Sequence, residues 1–142
     1  MSLSYSMYLQ KIYRQNNLTM KKIIIKCLQV QAQFRVLHWQ TTSYAEHMAF
    51  GSFYAAIDPI IDKLIEAIQG KYGRITLGGI DSIQVSDYSN LKLNVFMMDI
   101  DTFFSTEIYL CGIDKSKDSE IDNIVQELTG EIDKLKYLMT LK

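Results

Sequence analysis

A chain of 142 residues with 48% apolar and 22% charged side chains has the length of one domain and can bury roughly two-thirds of its unfolded surface without a disulfide or structural metal. That composition excludes a disordered chain, and a formal net charge of -1 gives no overall drive toward nucleic acid or anionic membranes. No run approaches the ~20 apolar residues of a membrane span, and no charged start leads into an apolar run with a small-residue cleavage site. Cys27 and Cys111 fall inside apolar helical runs, where free cysteine behaves as a small core residue. The expectation is a single domain over 1–142 that stays in a reducing cytoplasm.

In chain order, Ser4 to Gln15 offers one or two helical turns ended by the Asn16-Asn17 pair, so 1–17 is expected to be an N-terminal extension. Over 18–40, Met20, Ile23, Ile24, Cys27, Val30, Phe34 and Leu37 recur at helical spacing, which predicts the first long helix. Ser43-Tyr44-Ala45-Glu46 has the form of a capping box, with Ser43 capping the next helix and Glu46 reaching back. From there Phe50, Phe53, Tyr54, Ile57, Ile60, Ile61, Leu64, Ile65 and Ile68 hold one apolar face and predict a second helix over 43–69. Pro59 lies inside it and predicts a kink or short break near Asp58.

The glycine-containing stretch 71–89 reads as a long connection with a small apolar plug of its own, made of Tyr72, Ile75, Ile80, Ile83 and Val85. Asn90 is placed to cap a third helix over 90–112, carried by Leu91, Leu93, Val95, Phe96, Met97, Ile100, Phe103, Phe104, Ile108 and Cys111. A fourth, over 118–141, carries Ile121, Val125, Leu128, Ile132, Leu135 and Met139 in alternating steps of four and three. Four helices with short first and last connections and a long central crossover point to an all-α, ferritin-like four-helix bundle.

Both histidines of the chain, His38 and His47, sit at the corner between the first two helices. Paired imidazoles there can bind a transition metal, or they can simply bond backbone groups at the helix ends. Asp58, Asp62 and Glu66 recur every four residues along the second helix and form an acidic stripe, with Asp62 and Glu66 farthest from the apolar face. Such a stripe is commonly a solvated face. No glutamate stands three residues before either histidine: Arg35 precedes His38 and Tyr44 precedes His47, so the intrachain di-iron pattern is missing. His47 and Glu66 lie roughly 28 Å apart along one helix. A shared metal therefore needs two chains, with the second helices antiparallel about a two-fold axis.

His38-Trp39, then His47, then Asp62 and Glu66 resemble the ligand pattern of the mini-ferritins called Dps, DNA-binding proteins from starved cells. The resemblance covers about 20–70 and implies that His38, His47, Asp62 and Glu66 form an iron site between two subunits of a homo-oligomer, at least a dimer and up to a dodecameric cage. It also implies a ferroxidase, in which ferrous iron is oxidised by peroxide or oxygen, and places Trp39 beside the metal; Trp39 as an aromatic lid on the corner is the other reading. Two departures stand out. The loop between the histidines is about three residues shorter than in that family, and Gly51 replaces a carboxylate expected four residues after His47, which leaves a second metal position weak. The segment is also similar to small ferritin-like proteins of large tailed phages, in which a His-Trp-Gln-Thr start and a Gln-Gly-Lys-Tyr-Gly-Arg end (here Gln69 to Arg74) recur.

The expectation is thus a Dps-like iron-binding protein, with the host cytoplasm as its location if the chain is viral. The alternative keeps the fold without the chemistry, as a structural or interaction scaffold. DNA binding rests on Lys11, Arg14, Lys21, Lys22 and Lys26, and the last three alternate into a helix instead of forming a basic tail.

Overall fold

A serine starts the first helix well before the predicted position. The computed structural model describes residues 4–79 and 81–141, for 12–19 the backbone alone. In it Ser4 is non-helical and its Oγ accepts from the Met7 N–H at 3.3 Å, which satisfies one of the unpaired donors of a helix start. Helix α1 then runs Tyr5–Gln40, straight through Asn16 and Asn17. An asparagine costs a helix interior well under ~1 kcal/mol, too little to stop a helix that is capped upstream and packed downstream. The helix end expected at Asn16-Asn17 is therefore corrected; of the expected extension over 1–17, residues 1–3 lie outside the described residues.

Helix α2, Tyr44–Tyr72, begins where the sequence places it, with Ser43 Oγ accepting from the Glu46 N–H at 3.3 Å. It passes through Pro59 as one element, so the break expected near Asp58 is absent. Proline in a helix interior costs ~3 kcal/mol, and Phe53, Ile57, Ile61 and Leu64, buried on both sides of it, hold the helix together across the gap. Gly73 ends α2 at φ 91°, donating to Gln69 O at 2.9 Å, a backbone conformation that side-chain-bearing residues rarely adopt.

The chain then climbs along α1. Lys21 pairs with Asp81 at 2.6 Å, Gln29 Nε2 donates to Gln84 O, and Gln33 donates to Ser86 O at 2.9 Å while accepting from Ser86 N at 2.8 Å. Gln40 completes the ladder by accepting from Tyr88 N and donating to Asp87. Partner numbers rise together, so the crossover runs in the direction of α1. Seven extended residues cover ~23 Å against ~28 Å for the α1 segment they follow. Gln33 is 2% exposed and spends its amide on the crossover backbone, which satisfies a polar group the core would otherwise strand. The expected apolar plug is only half formed. Tyr72 and Ile75 pack on the core, whereas Ile83 and Val85 are exposed, because it is the crossover's backbone that α1's glutamines hold; Ile80 lies outside the described residues.

A 3-10 turn, Tyr88–Asn90, precedes α3, Leu93–Thr102. Asn90 ends that turn and does not cap α3; Lys92 stands at the cap position without a side-chain bond. A π-turn, Phe103–Glu107, joins α3 to the short α4, Ile108–Leu110. Widening the helix by one residue accompanies the burial of both Phe103 and Phe104. The last helix, α5, spans Ser119–Leu138.

Phe34 meets Phe96 at 5.5 Å between ring centroids, and Lys26 pairs with Asp99 and lies over the Phe103 ring, so α3 descends against α1. Lys63 pairs with Glu127 and Lys71 with Glu120, so α5 ascends against α2. The described residues are all-helical, without a strand, and close on one core in which Phe34, Phe50, Ile57, Leu64, Ile100 and Ile108 are fully buried. Of the apolar positions that carry the predicted helices, Val95 is the one left largely exposed. Both cysteines are buried as expected, and burial pushes the Cys27 thiol up to about 12.

Candidate metal centre at the corner of α1 and α2

His38 closes α1 and His47 opens α2, and the turn between them folds one ring over the other. The ring centroids are 3.8 Å apart and the planes 16° from parallel. Each ring bonds the other residue's backbone: His38 Nδ1 lies 2.7 Å from His47 O, and His47 Nδ1 lies 2.9 Å from His38 O. A carbonyl oxygen can only accept, so both Nδ1 atoms carry the hydrogen, and in the neutral rings both Nε2 atoms keep a lone pair. This is the arrangement by which a backbone carbonyl fixes the tautomer of a metal-ligating histidine. The bond from His47 also satisfies one of the carbonyls that the end of α1 leaves unpaired.

His38 is half-buried and His47 exposed. Tyr54 stands edge-on to the His38 ring at 5.4 Å and carries the Arg35 guanidinium over its own face at 4.6 Å. Arg35 in turn binds Asp58 at 2.6 Å, and Gln31 donates to the same carboxylate. One member of the acidic stripe is thereby neutralised inside the chain.

Asp62 and Glu66 are exposed on α2, and among the described residues neither meets a hydrogen-bond or ion-pair partner. Within one chain they are not brought to the histidines, and no cluster of three or more His, Cys, Asp or Glu capable of holding a metal occurs among the described residues. The four candidates thus fall into two separate groups, an imidazole pair at one end of α2 and a carboxylate pair toward the other.

Gly51 has a role the sequence did not disclose. A Cβ there would come within 2.8 Å of His38 Cε1 and 3.0 Å of His38 Nδ1, so the small residue makes room for the stacked ring. A carboxylate at that position would displace His38. Gly51→Ala is accordingly expected to unstack the histidines and cost about 1–2 kcal/mol, the range of a lost hydrogen bond plus overpacking. Histidine NMR would read the change as loss of the two Nδ1–H···O signatures; a variant with unchanged signals and stability would show that the corner has slack.

Glu46 also departs from its expected place. Its carboxylate accepts from Tyr88 OH at 2.5 Å and Thr41 Oγ1 at 3.4 Å, while the Ser43 N–H donates to Thr41 Oγ1. The reciprocal half of the capping box is replaced by a link from α2 to the crossover, and burial with this bond raises the Tyr88 hydroxyl to about 12. Trp39 is 69% exposed and Tyr44 78%, so Trp39 does not form a lid over this corner within the chain.

Two matches to known proteins each span most of the chain. The profile of a family described as "Family of unknown function (DUF5856)" matches residues 38–139. The chain is also similar to the "Uncharacterized 14.6 kDa protein in mobD-ri intergenic region" of Enterobacteria phage T4, with 28% identity over 112 residues, 79% of this chain and 80% of the relative. No solved structure matches significantly.

Proposed function

The chain belongs to the DUF5856 family, and we propose that this protein is a ferritin-like, Dps-like homo-oligomer that binds iron at sites shared by two subunits. The observation that carries the reading is the histidine pair: two stacked imidazoles, each with its Nδ1 hydrogen committed to a carbonyl and its Nε2 lone pair left for a metal. Two neutral nitrogens with two carboxylates suit ferrous iron, and the carboxylate charge favours the ferric product. Ferrous iron is then the substrate, with peroxide or oxygen as oxidant. The up-down-down-up order of α1, α2, α3 and α5, with its long crossover, supports the ferritin-like assignment.

The exposed side of α2 supports the pairing of subunits. Met48, Ser52, Ala55, Pro59, Asp62 and Glu66 all lie on it, exposed, in alternating steps of four and three, the spacing of a helix-helix seam. Its middle is small, Ala55 and Pro59, so two copies of α2 can approach closely there. With the two-fold axis at position 57 and the helices antiparallel, His47 stands ten residues before the axis and Glu66 nine after it. His47 of one subunit therefore comes level with Glu66 of its mate, and Asp62 lies one turn away. Two equivalent sites result. The phage relative supports a viral origin and action in a host cytoplasm. Lys21 and Lys26 are already in ion pairs, so DNA binding gains no support and stays outside the proposal.

Light scattering at micromolar concentration is expected to give the mass of two chains or more. The mass of one chain would remove the shared site. A second reading, an iron-free scaffold, is favoured by the same reciprocal bonds taken as a packing lock on the corner; in that case the oligomer forms and takes up no iron.

A further inference from the structure

Two apolar surfaces at opposite ends of the molecule meet no partner among the described residues, one convex and one concave. The convex one is the start of α1. Every residue from Ser4 to Lys11 is exposed, and the buried stretch of α1 begins at Met20 on the described side chains. Tyr5, Tyr8 and Leu9 share one helix face at spacings of three and four, with Met7 beside them, and Tyr5 is 77% exposed. The concave one is a cleft of ≈ 790 Å³ at the other end, where the α1–α2 corner, the end of the crossover, the start of α3 and the end of α5 meet. Leu93, Met97, Met98, Met139 and Leu141 line it together with Glu46, and Met98 is 69% exposed.

We infer that the N-terminal end of α1 in one copy of this protein seats in the cleft of a second copy. A chain cannot fill its own cleft, because α1 holds the two ends ~54 Å apart. The surfaces match in chemistry. Tyrosine offers large contact area at low ordering cost, and a methionine-lined cleft adapts to the shape that enters it. They also match in charge. Lys11 is the one charged side chain of residues 4–11, while the Glu46 carboxylate accepts from two hydroxyls and, among the described residues, pairs with no cation. The other charge at the wall, Lys136, is already paired with Asp101. The contact is heterologous, and the cleft is lined neither by the exposed seam of α2 nor by His38 or His47, so it links dimers into rings or filaments. A few side chains on each partner make a small interface, so association is concentration-dependent.

Single-cysteine exchange tests this on the full chain. Tyr8→Cys and Met98→Cys proteins are mixed and mildly oxidised, with Tyr8→Cys plus Asn123→Cys as the control, Asn123 being exposed on α5. The native cysteines are buried and stay silent. The expected result is a disulfide-linked pair formed several-fold faster than in the control. In a sedimentation series, Met98→Glu should dissolve the species above the dimer, and Tyr8→Lys added to it should restore them. The dimer itself should persist throughout, which separates this contact from the α2 seam. Cross-linking equal to the control, or a lipid retained in the cleft by native mass spectrometry, would overturn the inference.

Discussion

Replacing His47 by Ala is expected to slow iron-dependent absorbance growth by roughly tenfold to a hundredfold or more, the scale on which metal sites respond to lost ligands and their supports. The substitution removes one of the proposed Nε2 ligands and the Nδ1 hydrogen bond to His38 O. His47 is exposed, so the apolar face of α2 is untouched. The cost in stability should stay near 1 kcal/mol, that of one hydrogen bond, and the oligomer should keep its mass. His38→Ala should act in the same direction with a larger stability loss, since it also leaves the space above Gly51 unfilled. Equal oxidation rates for the His47→Ala and parent proteins would make the histidines a corner lock and favour the scaffold reading.

The largest expected loss of stability comes from a residue outside the site. Asp118 has a fully buried carboxylate at the start of α5. It accepts from Tyr72 OH at 2.5 Å, from Lys71 at 2.6 Å and from the Asp114 N–H at 2.8 Å, and so ties the end of α2 to the turn before α5. Asp118→Ala strands the Tyr72 hydroxyl and the Asp114 amide, for a cost of about 3 kcal/mol. At this chain length that is a fall in Tm of about 10 °C, checked by calorimetry. A change of less than a degree or two would mean that water replaces the carboxylate.

Acidity should find the same group. Burial opposes ionisation of Asp118, but the bonds from Asp114, Lys71 and Tyr72 and the Lys71 charge outweigh it and hold the carboxyl below its usual value. A carboxyl lowered in the folded state lends stability that is present above about pH 4, its unfolded range, and is lost as pH falls through the folded value. Asp118→Asn should therefore flatten the acid limb of the stability curve. Burial, then the bond to Asp118, raises Tyr72 to about 12, so the hydroxyl keeps its proton and donates across the neutral range.

The helices were legible because each buries a continuous apolar stripe, as in Met20 to Leu37 or Ile121 to Leu135. What the sequence misplaced were the polar devices. Asn16 and Asn17 looked like a stop, yet local propensity is weak beside an upstream cap and downstream packing. Glu46 fitted a capping box, but Tyr88, 42 residues away, offered its carboxylate a stronger partner. Gln29, Gln33 and Gln40 carried no signal of the ladder they form with the crossover, since an amide's partner depends on what tertiary structure sets opposite it. At the corner, the two histidines stood out by rarity, whereas their stacking and the space at Gly51 needed the turn geometry. The chain does not bring them to Asp62 and Glu66 by itself, and for the link proposed between chains a single sequence gives only spacing.

In the proposed assembly a metal is held between subunits by His38 and His47 of one and Asp62 and Glu66 of the other. Crystals grown with ferrous iron and measured at the iron absorption edge test it most directly. One anomalous peak per chain is expected, between the imidazole pair of one subunit and the carboxylate pair of its mate, with the position nearest Gly51 weak or empty. A map without iron at the histidines, in an assembly whose α2 seams are paired, would contradict it.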